Sequence, residues 1–101
     1  MRRVHVVVIV FASIAATSAA QAVGDAAMGK QKAALCTSCH GANGKATVPN
    51  TPNLAGQVPG YLALALKAYR DGKRTDPVMS AMAKPLSDED IGDLAAHFGS
   101  L

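Results

Sequence analysis

From residue 24 onward, apolar side chains recur every three to four positions in three stretches, and the segments between them are rich in Gly, Pro and Asn. That period is helical. The first stretch runs from Ala26 to about Leu35 and follows Asp25, a suitable N-cap. Gly29, Ala33 and Cys36 fall on one of its faces and are small enough to admit another helix at close range. The second stretch, roughly Tyr61 to Arg70, is opened by Pro59-Gly60 and ended by Asp71-Gly72, with Leu62, Leu66 and Tyr69 along one side. The third begins at Ser87-Asp88-Glu89-Asp90. Ser87 can cap it, and the three acids suit the positive end of the helix dipole. Ile91, Leu94, Ala95 and Phe98 then give i, i+3, i+4, i+7 spacing, the clearest amphipathic signal in the chain. Residues 41–57 and 73–85 lack the period and read as irregular loops. Long loops in compact domains usually carry function. The pattern predicts a small all-α domain.

The first residues follow a different logic. Arg2 and Arg3 precede an apolar run from Val6 to Ala16, and small residues lead to Ala20-Gln21-Ala22. A basic start, a short apolar run and an A-x-A site are the marks of a secretory signal peptide. The run falls short of the about 20 residues that span a bilayer. The expected division is a signal peptide at residues 1–22 and one domain at 23–101. Losing Arg2 and Arg3 takes the formal charge from +3 to +1, so the isoelectric point of the whole chain, near 9.1, overstates the basicity of what remains. No basic run or aromatic interleaving suits nucleic acid.

A domain of that size rarely builds an adequate core from side chains alone. The candidate remedy lies at Cys36-Thr37-Ser38-Cys39-His40. Two cysteines three positions apart, with a histidine directly after, form the c-type haem attachment pattern. Each thiol can add across one haem vinyl group, and the imidazole that follows can bind iron. A structural zinc site wants four ligands, and no second cysteine pair exists. A thioredoxin-type dithiol wants a βαβ setting, which the pattern lacks. A disulfide across so short a gap would close a tiny loop and stabilise little. A bound haem would also provide apolar surface around which short helices pack.

Further segments keep the same order and spacing: Pro52-Asn53-Leu54-Ala55-Gly56-Gln57, Tyr61-Leu62, Asp71-Gly72-Lys73-Arg74, Met79, Leu86 to Ile91, and Leu94 to Phe98. Together with Cys36–Gly41 they resemble class I cytochrome c. The likeness is to the small bacterial periplasmic monohaem type and to one half of the dihaem periplasmic cytochromes. That resemblance implies one covalent haem c on Cys36 and Cys39, with His40 as one axial ligand. The sixth ligand is expected from the loop before Ser87. Met79 fits the register, and Met82 is the alternative. Met28 sits too near the attachment site to reach the other haem face. His97 falls where the family usually has an aromatic residue, often Tyr, and reads as a packing side chain. The Pro52 carbonyl is the expected acceptor for the second nitrogen of His40, and Pro49 in the same loop is its alternative. Leu54, Leu62 and Leu66 would pack on the macrocycle. Gln57, Tyr61 and Arg74 are candidate propionate partners, although a solvated surface charge explains Arg74 equally well.

The function so implied is periplasmic single-electron transfer through a His/Met-ligated haem, without enzymatic activity. The expected partners are membrane oxidases, reductases or dehydrogenases, met transiently by a monomer at the exposed haem edge. A fixed relay subunit of a respiratory dehydrogenase or oxidase complex is the main alternative. A haem sensor or peroxidase-like enzyme fits less well, because a methionine occupies the expected distal position and no His or Arg pattern marks a catalytic pocket.

Overall fold

A computed structural model describes residues 4–13 and 24–101, and among them there are helices but no strands. Five helices follow one another: α1 (Ala26–Lys32), α2 (Ala34–His40), α3 (Pro59–Arg70), α4 (Met79–Ala83) and α5 (Asp88–Gly99). The cleavage signature Ala20-Gln21-Ala22 lies outside the described residues. Residues 4–13 carry no helix or strand and their side chains are exposed. No helix among the described residues is long and apolar enough to cross a membrane.

Helices α1, α3 and α5 start where local chemistry suits their free N–H groups. The Asp25 side chain accepts from the N–H of Ala27 and Met28. Pro59 begins α3, where the missing N–H costs nothing. Ser87 and Asp90 form a reciprocal capping box at α5, the Ser87 hydroxyl accepting from Asp90 N–H and the Asp90 carboxylate from Ser87 N–H.

Two expectations about helix boundaries need correction. The segment from Ala26 to Leu35 is not one helix. Ala33, with ψ near −1°, interrupts it, and its N–H turns back to the Lys30 carbonyl at 3.4 Å. Beyond the break, α2 carries the Cys36–His40 segment as helix. The loop at residues 73–85 is not wholly irregular either, because Met79–Ala83 form α4. Its start is built by Asp76, whose carboxylate accepts from Val78 and Met79 N–H, and by Ser80, whose hydroxyl accepts from Asp76 N–H.

The core sits where α1 and α3 pack on α5. Ala33, Leu62, Leu94, Ala95 and Phe98 form its buried cluster, bordered by the half-buried Cys36, Leu54, Leu66 and Leu86. Gly29 is the contact point of α1 with α5. A Cβ there would lie 1.9 Å from the Asp93 carbonyl oxygen, so only glycine allows this approach. Asp93 is buried and clamps the same crossing. Its carboxylate accepts from Asp25 N–H at 2.8 Å and from the Lys32 ammonium at 2.6 Å. Arg70 ties the end of α3 to the start of α5 through Asp88 and the Leu86 carbonyl.

Candidate functional site

The site begins on α2. Cys36 and Cys39 are three residues apart on a helix and so share a side of it. Both are half-buried and unbridged. Burial pushes the Cys36 thiol above its ordinary pKa. His40 closes the helix and is buried. Its Nδ1 lies 2.8 Å from the Pro52 carbonyl oxygen. A carbonyl can only accept, so Nδ1 carries the proton. Nε2 is thereby left with its lone pair, the form an imidazole needs to bind a metal. Nε2 has no hydrogen-bond partner among the described residues and is not sealed from solvent.

Gly41 makes this arrangement possible. It follows His40 at φ 84°, a conformation that strongly favours glycine, and stops α2 at once. The chain then folds back on itself. Gly44 donates to the Gly41 carbonyl, and its own carbonyl receives the N–H groups of Leu54 and Ala55. Those bonds fix the far end of the loop, from which the Pro52 carbonyl meets His40 Nδ1.

An apolar cleft runs beside Cys36 and takes residues from α2, α3, α4 and α5. Leu66, Met79, Met82, Leu86 and Leu94 line it together with Cys36. Lys32 and Leu35 stand at its α1–α2 side. The fold therefore gathers a thiol and two thioethers along one apolar surface, with the second thiol and the imidazole next along α2. This donor set fits haem c: thiols for covalent attachment, a correctly protonated imidazole, a soft sulfur ligand and an apolar wall for the macrocycle. A more open depression on the outer side of α3, around Leu64, Lys67 and Asp71, contains none of these groups.

The other expected residues are placed as follows. Leu54 borders the core. Gln57 is exposed, and its side-chain oxygen accepts from Val58 N–H. Tyr61 is exposed on α3. The Arg74 guanidinium stacks on the Tyr69 ring, 4.6 Å from its centroid. None of Gln57, Tyr61 and Arg74 lines the cleft. Met28 is exposed on α1. Sequence reasoning passed over Lys32, Pro85 and Leu86 as cleft residues. The signal for Leu86 was its place just before the Ser87 cap, where an apolar side chain can turn inward.

His97 is buried at the α1–α5 crossing, its ring 4.9 Å from that of Phe98 and its Cβ facing Gly29. Burial first, and the Lys30 charge second, hold its pKa below the ordinary 6.5. A depressed histidine adds stability above its unfolded pKa and loses it as pH falls through the folded value. Unfolding free energy is therefore expected to drop from about pH 6.5 downward, by at most the one-proton slope of about 1.4 kcal/mol per pH unit. Asp93 and Asp90 are held below their ordinary value, chiefly by hydrogen bonds from Lys32, so their loss follows separately below pH 3.8. Denaturant titrations at stepped pH should show the first limb flattened in His97→Phe and the second retained. An unchanged first limb would remove His97 from the account.

Comparison with known proteins agrees with this chemistry. The sequence profile of the cytochrome c family, described as "Cytochrome c", matches residues 26–101. Cytochrome c4 of Pseudomonas aeruginosa is 49% identical over 84 residues, covering 83% of this chain and 42% of that protein. Cytochrome c-554(548) of Halomonas halodenitrificans is 49% identical over 80 residues, covering 76% of this chain and 96% of that one. The crystal structure of reduced recombinant cytochrome c4 from Pseudomonas stutzeri superposes with a TM-score of 0.72 at 41% identity, over 76% of this chain and 45% of that one. The chain thus spans under half the length of the cytochrome c4 relatives and nearly all of the Halomonas protein.

Proposed function

This chain belongs to the cytochrome c family, and from that premise we propose that it is an electron carrier in which His40 and Met79 would hold the iron of its covalent haem c. Cys36 and Cys39 are the thioether positions. When bound, the haem supplies one-electron exchange between ferric and ferrous iron. The residues do the rest. His40, oriented by the Pro52 carbonyl, would present Nε2 without needing to turn. Met79 would present a thioether from the first turn of α4, where its N–H is held by Asp76. Sulfur ligation favours the ferrous state and raises the potential. With His40 and Met79 as its ligands, little of the backbone would have to move when an electron arrived or left, and no substrate would need to reach the metal. Leu66, Leu86 and Leu94 give the cleft an apolar wall.

The single observation that carries this reading is the 2.8 Å His40–Pro52 contact, because it sets the tautomer on which ligation depends. Leu35 is 72% exposed beside Cys36 and offers an apolar spot at which a redox protein can dock briefly. Such encounters are small and transient. The A-x-A segment supports export and a periplasmic setting.

The test is an absorption spectrum of the haem-loaded protein, oxidised and reduced, with and without carbon monoxide. A weak sulfur-to-iron band when oxidised and no response to the gas when reduced are expected. A high-spin spectrum that shifts with carbon monoxide would mean an open iron and defeat the carrier reading.

A further inference from the structure

Met79 and Met82 are both cleft residues, and α4 explains why. On a helix, positions three apart share a face, with Cβ atoms roughly 5–6 Å apart. Both side chains are half-buried, and both line the cleft that contains Cys36. In an irregular loop one of them could serve and the other point away. A helical turn does not separate them in this way. The backbone beneath them is held at both ends. Asp76 accepts from Met79 N–H at 2.9 Å, and Ala83 at the other end is fully buried. Methionine has three rotatable side-chain bonds. A change of ligand therefore asks for side-chain rotation and leaves the fold intact.

The surroundings favour a second thioether over any other substitute. The one other cleft residue with a strong nitrogen donor is Lys32, and its ammonium is engaged by Asp93 at 2.6 Å and Asp90 at 2.9 Å. Those carboxylates keep it protonated, so it has no lone pair to offer. His97 is buried at the α1–α5 crossing, away from the cleft lining. An unligated thioether costs little against Leu66 and Leu86, because methionine packs as a soft apolar side chain.

We propose that the distal site of this chain is a two-thioether site: Met79 and Met82 can each hold the iron, and loss of one is met by the other. This rests on the carrier reading above. The test uses haem-loaded wild type, Met79→Leu, Met82→Leu and the double variant. Leucine keeps the apolar volume, so folding is retained at little cost. Three readouts are taken: the sulfur-to-iron band of the ferric protein, carbon monoxide binding by the ferrous protein, and the ring-current-shifted methyl proton signal of a ligating methionine. In Met79→Leu the band and the methyl signal should persist at shifted positions, with carbon monoxide still excluded. The double variant should lose both signals and bind the gas. If Met79→Leu alone behaves like the double variant, or stays closed without a methionine methyl signal, the proposal is overturned. A wild type that binds carbon monoxide would instead overturn the carrier reading, so the two failures are distinct.

Discussion

Gly29→Ala is expected to lower the thermal unfolding midpoint of the haem-loaded protein by roughly 10 °C. The new Cβ would stand 1.9 Å from the Asp93 carbonyl oxygen, 2.5 Å from its carbon and 2.8 Å from the His97 Cβ. Two of these are backbone atoms, which cannot swing aside. Relief requires α1 and α5 to part, and parting strains the Asp93 bonds to Asp25 and Lys32. Overpacking of this kind costs about 1–3 kcal/mol or somewhat more. The gain in helix propensity returns about 1 kcal/mol. For a domain of this size each kcal/mol moves the midpoint by about 4–8 °C. Gly60→Ala is the matched control. It makes the same chemical change in α3, where an added Cβ meets nothing within 4 Å, so it should melt at or slightly above wild type. If Gly29→Ala melts with the control, the two helices are not in backbone contact at this point.

That crossing was partly legible in the chain itself. Small residues at helical spacing announced a close approach, and the last helix announced its own start through Ser87 and the acids after it. The identity of the clamp was not legible. Asp93 reads as one more polar position on an amphipathic helix, and only the fold shows it buried against Asp25 and Lys32. The interruption at Ala33 has no proline or glycine to mark it, so periodicity alone ran straight through. Helix α4 escaped for the opposite reason. Five residues are too few to display a period, and its start depends on Asp76 and Ser80 acting through loop geometry.

The site divides in the same way. Cys36, Cys39 and His40 are adjacent in sequence and fixed by covalent chemistry, so their spacing is the signal. The cofactor follows from that spacing, as the all-α class follows from the apolar period, and both agree with the family match. Residues that meet the cleft from a distance in sequence carry weaker marks. Leu66 and Leu86 look like any core leucine until α3 and the turn before α5 bring them beside Cys36. Gln57, Tyr61 and Arg74 had only family register behind them. Their side chains stand at the surface, Gln57 accepting from its neighbour's N–H and Arg74 on Tyr69.

His40→Ala is expected to have the largest functional effect of any single substitution. Among the described residues, the variant removes the only imidazole that the fold sets beside the two thiols with Nε2 free of a hydrogen-bond partner. It should become high-spin when oxidised and bind carbon monoxide when reduced. The wild type should refuse the gas. Free imidazole added to the variant should restore the low-spin spectrum, since the vacated space matches the ring that was lost. This rescue separates loss of a ligand from general damage to the fold. Some damage is expected as well. The Pro52 carbonyl loses its partner, and the loop at residues 41–57 loses a tie to α2, a cost of about 1 kcal/mol. That part should appear as a lower midpoint in denaturant and should not respond to imidazole in the same way, because a free ligand is not tethered to α2. A His40→Ala protein that stays low-spin and closed to carbon monoxide without added imidazole would show that another group holds the iron on that side. The Pro52 contact would then be a packing bond of the loop and no part of the redox site.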